Sequence, residues 1–234
     1  MVKGDIKVMW FLVFLLFSSF TFIISRSYSD PLTFYNYAVS QNPNSALAYC
    51  NRGYVKYSKN DFQGAVEDEN RAIAIYPEYA NAYNNRSMAK LNMGDKLGAI
   101  EDENKSIDIS PNFAGAYINR GTAKLYLRDN FGAIKDFDKA ISINPNDEEA
   151  YINKGGAMGS IGNFKEAIIN FNKAIEIDSE YFNAYYNRAI TKYSIKDFKG
   201  VMEDCKIMLK LNPNSEKVIT LNILAQKELQ KINN

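Results

Sequence analysis

Six positions spaced 34 residues apart constrain this chain more than any other feature. Pro43, Pro77, Pro111, Pro145, Ser179 and Pro213 fall on one arithmetic series, and only Ser179 departs from proline. Self-similarity at a fixed period of this length means one supersecondary unit stacked on itself, because so short a unit cannot bury its apolar face alone. Such a stack presents a binding surface before it presents any chemistry.

Five full units follow from the period: 46–79, 80–113, 114–147, 148–181 and 182–215. Each holds two segments with apolar or small residues at helical spacing. In the third unit these are Ala116, Tyr117, Gly121 and Ala123, then Ala133, Ile134, Phe137, Ala140, Ile141 and Ile143. A polar turn divides them, such as Lys59-Asn60-Asp61 or Met93-Gly94-Asp95. The proline follows the second segment, where it cannot continue a helix. Strand alternation is absent, so each unit predicts a hairpin of two short helices. Small residues recur where the helices must touch. Position 8 is Gly53, Ser87, Gly121, Gly155 and Ala189, and position 20 is Ala65, Ala99, Ala133, Ala167 and Val201. Position 27 is Ala72, Ser106, Ala140, Ala174 and Met208, while an aromatic recurs at position 4 (Tyr49, Tyr83, Tyr117, Tyr151, Tyr185).

This pattern resembles the tetratricopeptide repeat, with its aromatic at position 4, small residues at 8, 20 and 27, and proline at 32. The local forms N-R-G-x-A-K, G-A-I-x-D and K-A-I-x-I-x-P resemble a bacterial-type subset. The resemblance covers 46–215. It implies an all-α, right-handed α-solenoid of five helical hairpins. Residues 31–45 look like a degenerate half repeat, and 216–234 like a C-terminal capping helix that solvates the end of the array.

Composition removes several function classes. Lys plus Arg is 28 against 27 Asp plus Glu, a net charge of +1, so no basic excess exists for a nucleic-acid backbone. There is no histidine, hence no Ser/His or Cys/His pair and no imidazole metal ligand. Cys50 and Cys205 are too few for a disulfide framework or a zinc site and are expected as free thiols. The reading is of a protein that is not an enzyme and carries no cofactor and no metal.

The first thirty residues stand apart. Val8–Ser25 is a run of eighteen residues without a charge, preceded by Lys3 and Lys7 and followed by Arg26. Its length lies between a signal-peptide core and a membrane span. Residues 1–30 are therefore expected to be a signal peptide or an uncleaved N-terminal hydrophobic anchor helix. Both place the repeats on the non-cytoplasmic side, since the lysines precede the run.

Two charged rows repeat with the period. Position 7 is Arg52, Arg86, Arg120, Lys154 and Arg188; position 23 is Asp68, Asp102, Asp136, Asn170 and Asp204. The unit that exchanges Arg for Lys also exchanges Asp for Asn. That parallel lapse points to a bidentate pair across each hairpin, rather than a row of arginines for an acidic partner. The lysines at position 11 (Lys56, Lys90, Lys124, Lys192), three of them accompanied by a glutamate at position 22 (Glu67, Glu101, Glu203), read as a solvated face.

The resemblance places positions 2, 5, 9, 12 and 13 in a concave groove, and only Glu149 is charged among them. Chaperone-binding relatives use groove lysines to hold a carboxylate, and those lysines are missing here. The candidate partner-binding residues are Tyr54, Tyr57, Met88, Leu91, Leu125, Tyr126, Ile152, Gly156, Tyr186 and Tyr193. In the fourth unit Gly156 and Gly159 share a helix face beside Ile152 and are expected to leave room for a bulky partner side chain. The expected function is a protein–protein interaction scaffold, exported or membrane-tethered, that binds a peptide segment or helix of another protein. The rival is an architectural element of an envelope acting through lateral contacts. The groove residues alternatively pack on neighbouring units or a returning terminus.

Overall fold

The computed structural model describes residues 30–233, so the apolar run Val8–Ser25 lies outside the described residues. Among the described residues there are twelve α-helices and no strand, and no helix is long and apolar enough to cross a membrane. They divide after Gly94 into two compact units. The first holds α1 (Pro31–Gln41), α2 (Ala46–Ser58), α3 (Phe62–Ile75) and α4 (Ala80–Asn92). The second holds α5 (Lys96–Ile109), α6 (Ala114–Tyr126), α7 (Asn130–Ile143), α8 (Glu148–Ser160), α9 (Phe164–Ile177), α10 (Phe182–Ser194), α11 (Phe198–Leu211) and α12 (Glu216–Asn233). Within each unit a helix packs on its neighbours in sequence, and successive first helices also touch (α2 with α4, α6 with α8, α8 with α10). The fold is an all-α solenoid.

Local chemistry sets these boundaries. The second helix of each hairpin opens on a side-chain cap: Asp61, Asp95, Asp129 and Asp197 each accept the N–H of the glycine three residues on, and Asn163 accepts that of Glu166. Such caps satisfy an otherwise orphaned donor and are worth about 1 kcal/mol each. The residue before the cap takes a left-handed φ in all five hairpins. Gly94 and Gly162 do so freely, whereas Asn60, Arg128 and Lys196 do so at a steric cost. At the other end, Tyr76, Ser110, Asn144 and Asn212 are held extended before proline. Asp178 adopts the same extended backbone before Ser179, so the turn survives without its proline.

Hairpins close where position 8 meets position 24. A Cβ on Gly121 would lie 2.6 Å from Cε1 of the fully buried Phe137, and one on Gly155 would lie 2.6 Å from Cε1 of Phe171. Gly121→Leu is therefore expected to lower stability by about 1–3 kcal/mol through overpacking. One residue past Gly155, on a neighbouring face of α8, a Cβ on Gly156 would meet nothing within 4 Å. Gly156→Leu should gain up to about 1 kcal/mol of helix propensity. Thermal unfolding of the two variants checks the contrast; equal midpoints would contradict it.

The arginine and aspartate rows meet across the hairpins. Arg52 Nε and Nη2 donate to the two carboxylate oxygens of Asp68 at 2.8 and 2.6 Å, and Arg120 does the same to Asp136 at 3.0 and 2.7 Å. Arg188 and Asp204 form the same fork. Each of these guanidiniums also lies 5.3–5.4 Å from the ring of the position-4 tyrosine on its own helix. The remaining nitrogen reaches back one hairpin: Nη1 of Arg52, Arg86, Arg120 and Arg188 donates to Asn36, Asn70, Asn104 and Asn172. One side chain thus ties together three helices.

The position-11 lysines do not form a solvated face with the position-22 glutamates. Lys56, Lys124 and Lys192 sit on the second oxygen of Asp68, Asp136 and Asp204, at 2.9, 2.7 and 3.0 Å. A buried carboxylate with two cations is better compensated than one with a single partner, which draws the lysine inward. In the fourth hairpin Lys154 and Asn170 do not pair. Lys154 Nζ reaches Asp138 of α7 at 2.7 Å, and Asn170 donates to the Glu166 carbonyl. Asp138 occupies position 25, where the preceding hairpins carry Asn36, Asn70 and Asn104. The carboxylate has moved back one hairpin. The lysine that would have served Asn170 is replaced by Met158.

Candidate partner-binding face

The first helices of each compact unit carry one face. In the first, Tyr54 stands exposed on α2. Tyr57 is half-buried, its ring 5.6 Å from Phe62 and its hydroxyl accepting from Asn92 at 3.1 Å. Met88 and Leu91 on α4 are half-buried. In the second, Leu125 is half-buried against the cluster around Phe137, and Tyr126 is exposed with Lys96 Nζ 5.8 Å from its ring centre. Tyr186 is half-buried beneath Lys217 of α12, whose Nζ lies 4.4 Å from the ring. Tyr193 meets Phe198 edge-on at 5.3 Å.

Position 5 turns inward. Cys50, Asn84, Ile118 and Ile152 are all buried, because successive first helices touch along that line. Ile152 is only 8% exposed and packs with Phe171 and Ala184. It belongs to the floor beneath the face. The two cysteines are free and buried, and burial pushes their thiols up, to about 12 for Cys50 and about 11 for Cys205.

Gly156 is exposed, and it opens the most distinctive feature of the second unit. A recess of about 300 Å³ lies among α8, α9 and α10. Gly155, Gly156 and Gly159 form one wall, Phe164 and Phe171 another, and Asn187, Ile190, Thr191 and Ser194 the third. The hydroxyls on its rim already donate to their own helices: Ser160 to the Gly156 carbonyl, Thr191 to Asn187, Ser194 to Ile190. They turn only lone pairs outward, and the Asn187 amide adds both a donor and an acceptor. No charged side chain lines it. A neutral group with an apolar body and one donor suits such a site; an ion would lose its hydration without compensation. Glu149 stands in the first turn of α8, far along the helix from the glycines. Burial, then Asp147 and Glu148, raise its carboxyl.

Gly156, Gly159, Ser160, Ile190 and Ser194 of the recess fall on positions 9, 12 and 13, which the repeat pattern places on the groove face; Phe164, Phe171, Asn187 and Thr191 do not. Phe164, Phe171 and Thr191 come from positions with no repeat-wide signature, and Asn187 from the asparagine that recurs at position 6 of every unit (Asn51, Asn85, Asn119, Asn153, Asn187). The pairing of Gly155 with Phe171, one position-8 glycine facing one position-24 ring, was the available signal.

Sequence comparison finds a match described as "Tetratricopeptide repeat" at residues 80–113 and 114–147, and one described as "TPR repeat" at 160–195. No curated protein matches the chain by sequence. Among solved structures, YrrB, described as a TPR protein with an unusual peptide-binding site, is 21% identical over 82% of this chain and 97% of its own, with a TM-score of 0.61. MamA is 23% identical over 74% of this chain and 94% of its own, with a TM-score of 0.61. Pseudomonas aeruginosa pilF is 15% identical over 80% and 86%, with a TM-score of 0.72. At these identities the likeness is one of fold.

Proposed function

The chain is a tetratricopeptide-repeat protein, and from that premise we propose that it is a protein–protein interaction scaffold holding an uncharged partner segment on the face of its first helices. The observation that carries this reading is the neutral recess beside Gly156, which seats one bulky side chain of the partner. Tyr126, exposed in the same compact unit as the recess, supplies further contact area at little entropic cost. That YrrB is described as having a peptide-binding site supports the class of partner. Tyr186 and Tyr193, already engaged by Lys217 and Phe198, contribute less.

The same reading places the repeats outside the cytoplasm. Val8–Ser25 either tethers them to a membrane or directs their export, with Lys3 and Lys7 on the cytoplasmic side.

Panning the full chain against a displayed random-peptide library tests the binding reading. Recovered peptides should share a bulky uncharged residue. Gly156→Leu should weaken a recovered peptide at least about tenfold, the loss of one buried side chain, with no fall in the unfolding midpoint. Charged consensus peptides, or binding indifferent to Gly156→Leu, would remove the proposal.

A further inference from the structure

The turns inside the hairpins of the second compact unit carry large apolar side chains outward. Phe131 and Leu97 occupy the same repeat position, at the starts of α7 and α5, and are 69% and 66% exposed. Leu127 and Ile195, the residues that end α6 and α10, are exposed as well. A single buried contact would account for none of them. The start of α5 lies against the end of α6, since Lys96 Nζ donates to the Tyr126 carbonyl at 3.2 Å. Leu97 therefore shares an edge with Leu127 and Phe131. At the far end of the unit, the ends of α8 and α10 meet across the recess.

Cations are interleaved along this edge. Arg128, Lys165, Lys196 and Lys199 are exposed and form no ion pair among the described residues. The carboxylates nearby are Asp95, Asp129, Asp197 and Glu166; the three aspartates accept the backbone N–H of Gly98, Gly132 and Gly200, and the partial positive charge of those helix N-termini offsets part of theirs. The edge thus offers projecting apolar groups beside unpaired positive charge. A groove-bound peptide does not need that combination. A bilayer of anionic lipid does: apolar side chains enter the boundary between headgroups and acyl chains while cations meet phosphates.

We propose that the hairpin-turn edge of the second unit, from Leu97 through Phe131 to Ile195, docks on an anionic lipid surface. This goes beyond the peptide-binding reading and stands independently of it.

The test uses the full chain reconstituted in vesicles, with Phe131→Cys carrying an environment-sensitive fluorophore. The native thiols are buried with raised pKa values, so the new cysteine labels selectively. Emission should shift to the blue and rise several-fold in phosphatidylcholine–phosphatidylglycerol vesicles relative to phosphatidylcholine alone, and the difference should shrink in high salt. Lys196→Glu with Lys199→Glu should abolish most of the difference, and a label at Leu97→Cys should report the same behaviour. Identical emission in both lipids would overturn the proposal. So would a shift that appears without vesicles and grows with protein concentration, which would assign the edge to a second copy of the chain.

Discussion

Asp136→Asn is expected to destabilise the protein by about 3 kcal/mol, at the lower end of the range for breaking a buried ion pair. Asp136 is buried, and it holds Arg120 by two oxygens and Lys124 by one. Neutralising it leaves two cations, both largely withdrawn from water, facing an amide. The fourth hairpin shows how the same chain accommodates that amide. There Asn170 is accompanied by Lys154 in place of arginine, Met158 in place of lysine, and Asp138 one hairpin earlier in place of asparagine. Converting the third hairpin to this arrangement requires Arg120→Lys, Lys124→Met and Asn104→Asp alongside Asp136→Asn. The quadruple variant should recover most of the stability lost by the single one, because it moves the carboxylate to the far side of the cation instead of deleting it. Urea unfolding of both variants against the parent decides the matter. A quadruple variant no more stable than Asp136→Asn would mean the four positions are not energetically linked.

That coupling marks how far the sequence could be read. The period, the position-8 glycines and the shared lapse at Lys154 and Asn170 were enough to predict helical hairpins and an arginine–aspartate contact. They did not reveal where Lys154 would go, because Asp138 belongs to another unit and position 25 looked like an unremarkable polar row. Contacts between repeats leave weaker traces than contacts within one. Position 11 was misread for a related reason: a lysine beside a glutamate in sequence suggests a surface pair, yet the buried aspartate next to that glutamate is the stronger attractor. The recess was half legible. Gly156 and Gly159 broke helix propensity without a packing reason, which is a visible signal, whereas Phe171 and Asn187 served other roles equally well. The turn edge left a trace only in three dimensions, since exposure of Leu97 and Phe131 cannot be told from burial in a list of residues.

Position 24 hid its chemistry most completely. It is glutamate in Glu69 and Glu103, phenylalanine in Phe137 and Phe171, and cysteine in Cys205, so no rule emerges from the row. Glu69 is fully buried on α3, facing Gly53 of α2, whose absent side chain makes room for the carboxyl. Its Oε1 accepts from Asn85 at 3.1 Å, and the same amide donates to Cys50 at 3.3 Å. Burial pushes the carboxyl up to about 8, against the smaller opposing pull of Asn85 and Cys50. At neutral pH it therefore carries its proton. In the unfolded chain it loses that proton near its ordinary 4.5. The folded state thus binds the proton more tightly, and its stability is complete below about pH 4.5 and declines as pH rises toward 8. At 1.36 kcal/mol for each unit the decline is on the order of 4 kcal/mol across that window. The chain has no histidine, so few other groups titrate there. Glu69→Gln keeps the shape of the neutral acid and removes the titration. Its unfolding midpoint should fall less between about pH 5 and pH 8 than that of the parent, and the gap between the two should widen by several degrees or more across that window. Glu149 remains in both proteins, so its own raised carboxyl cancels from the comparison. Parallel decline of the two proteins would show that Glu69 is ionised in the fold and that some other group sets the pH response.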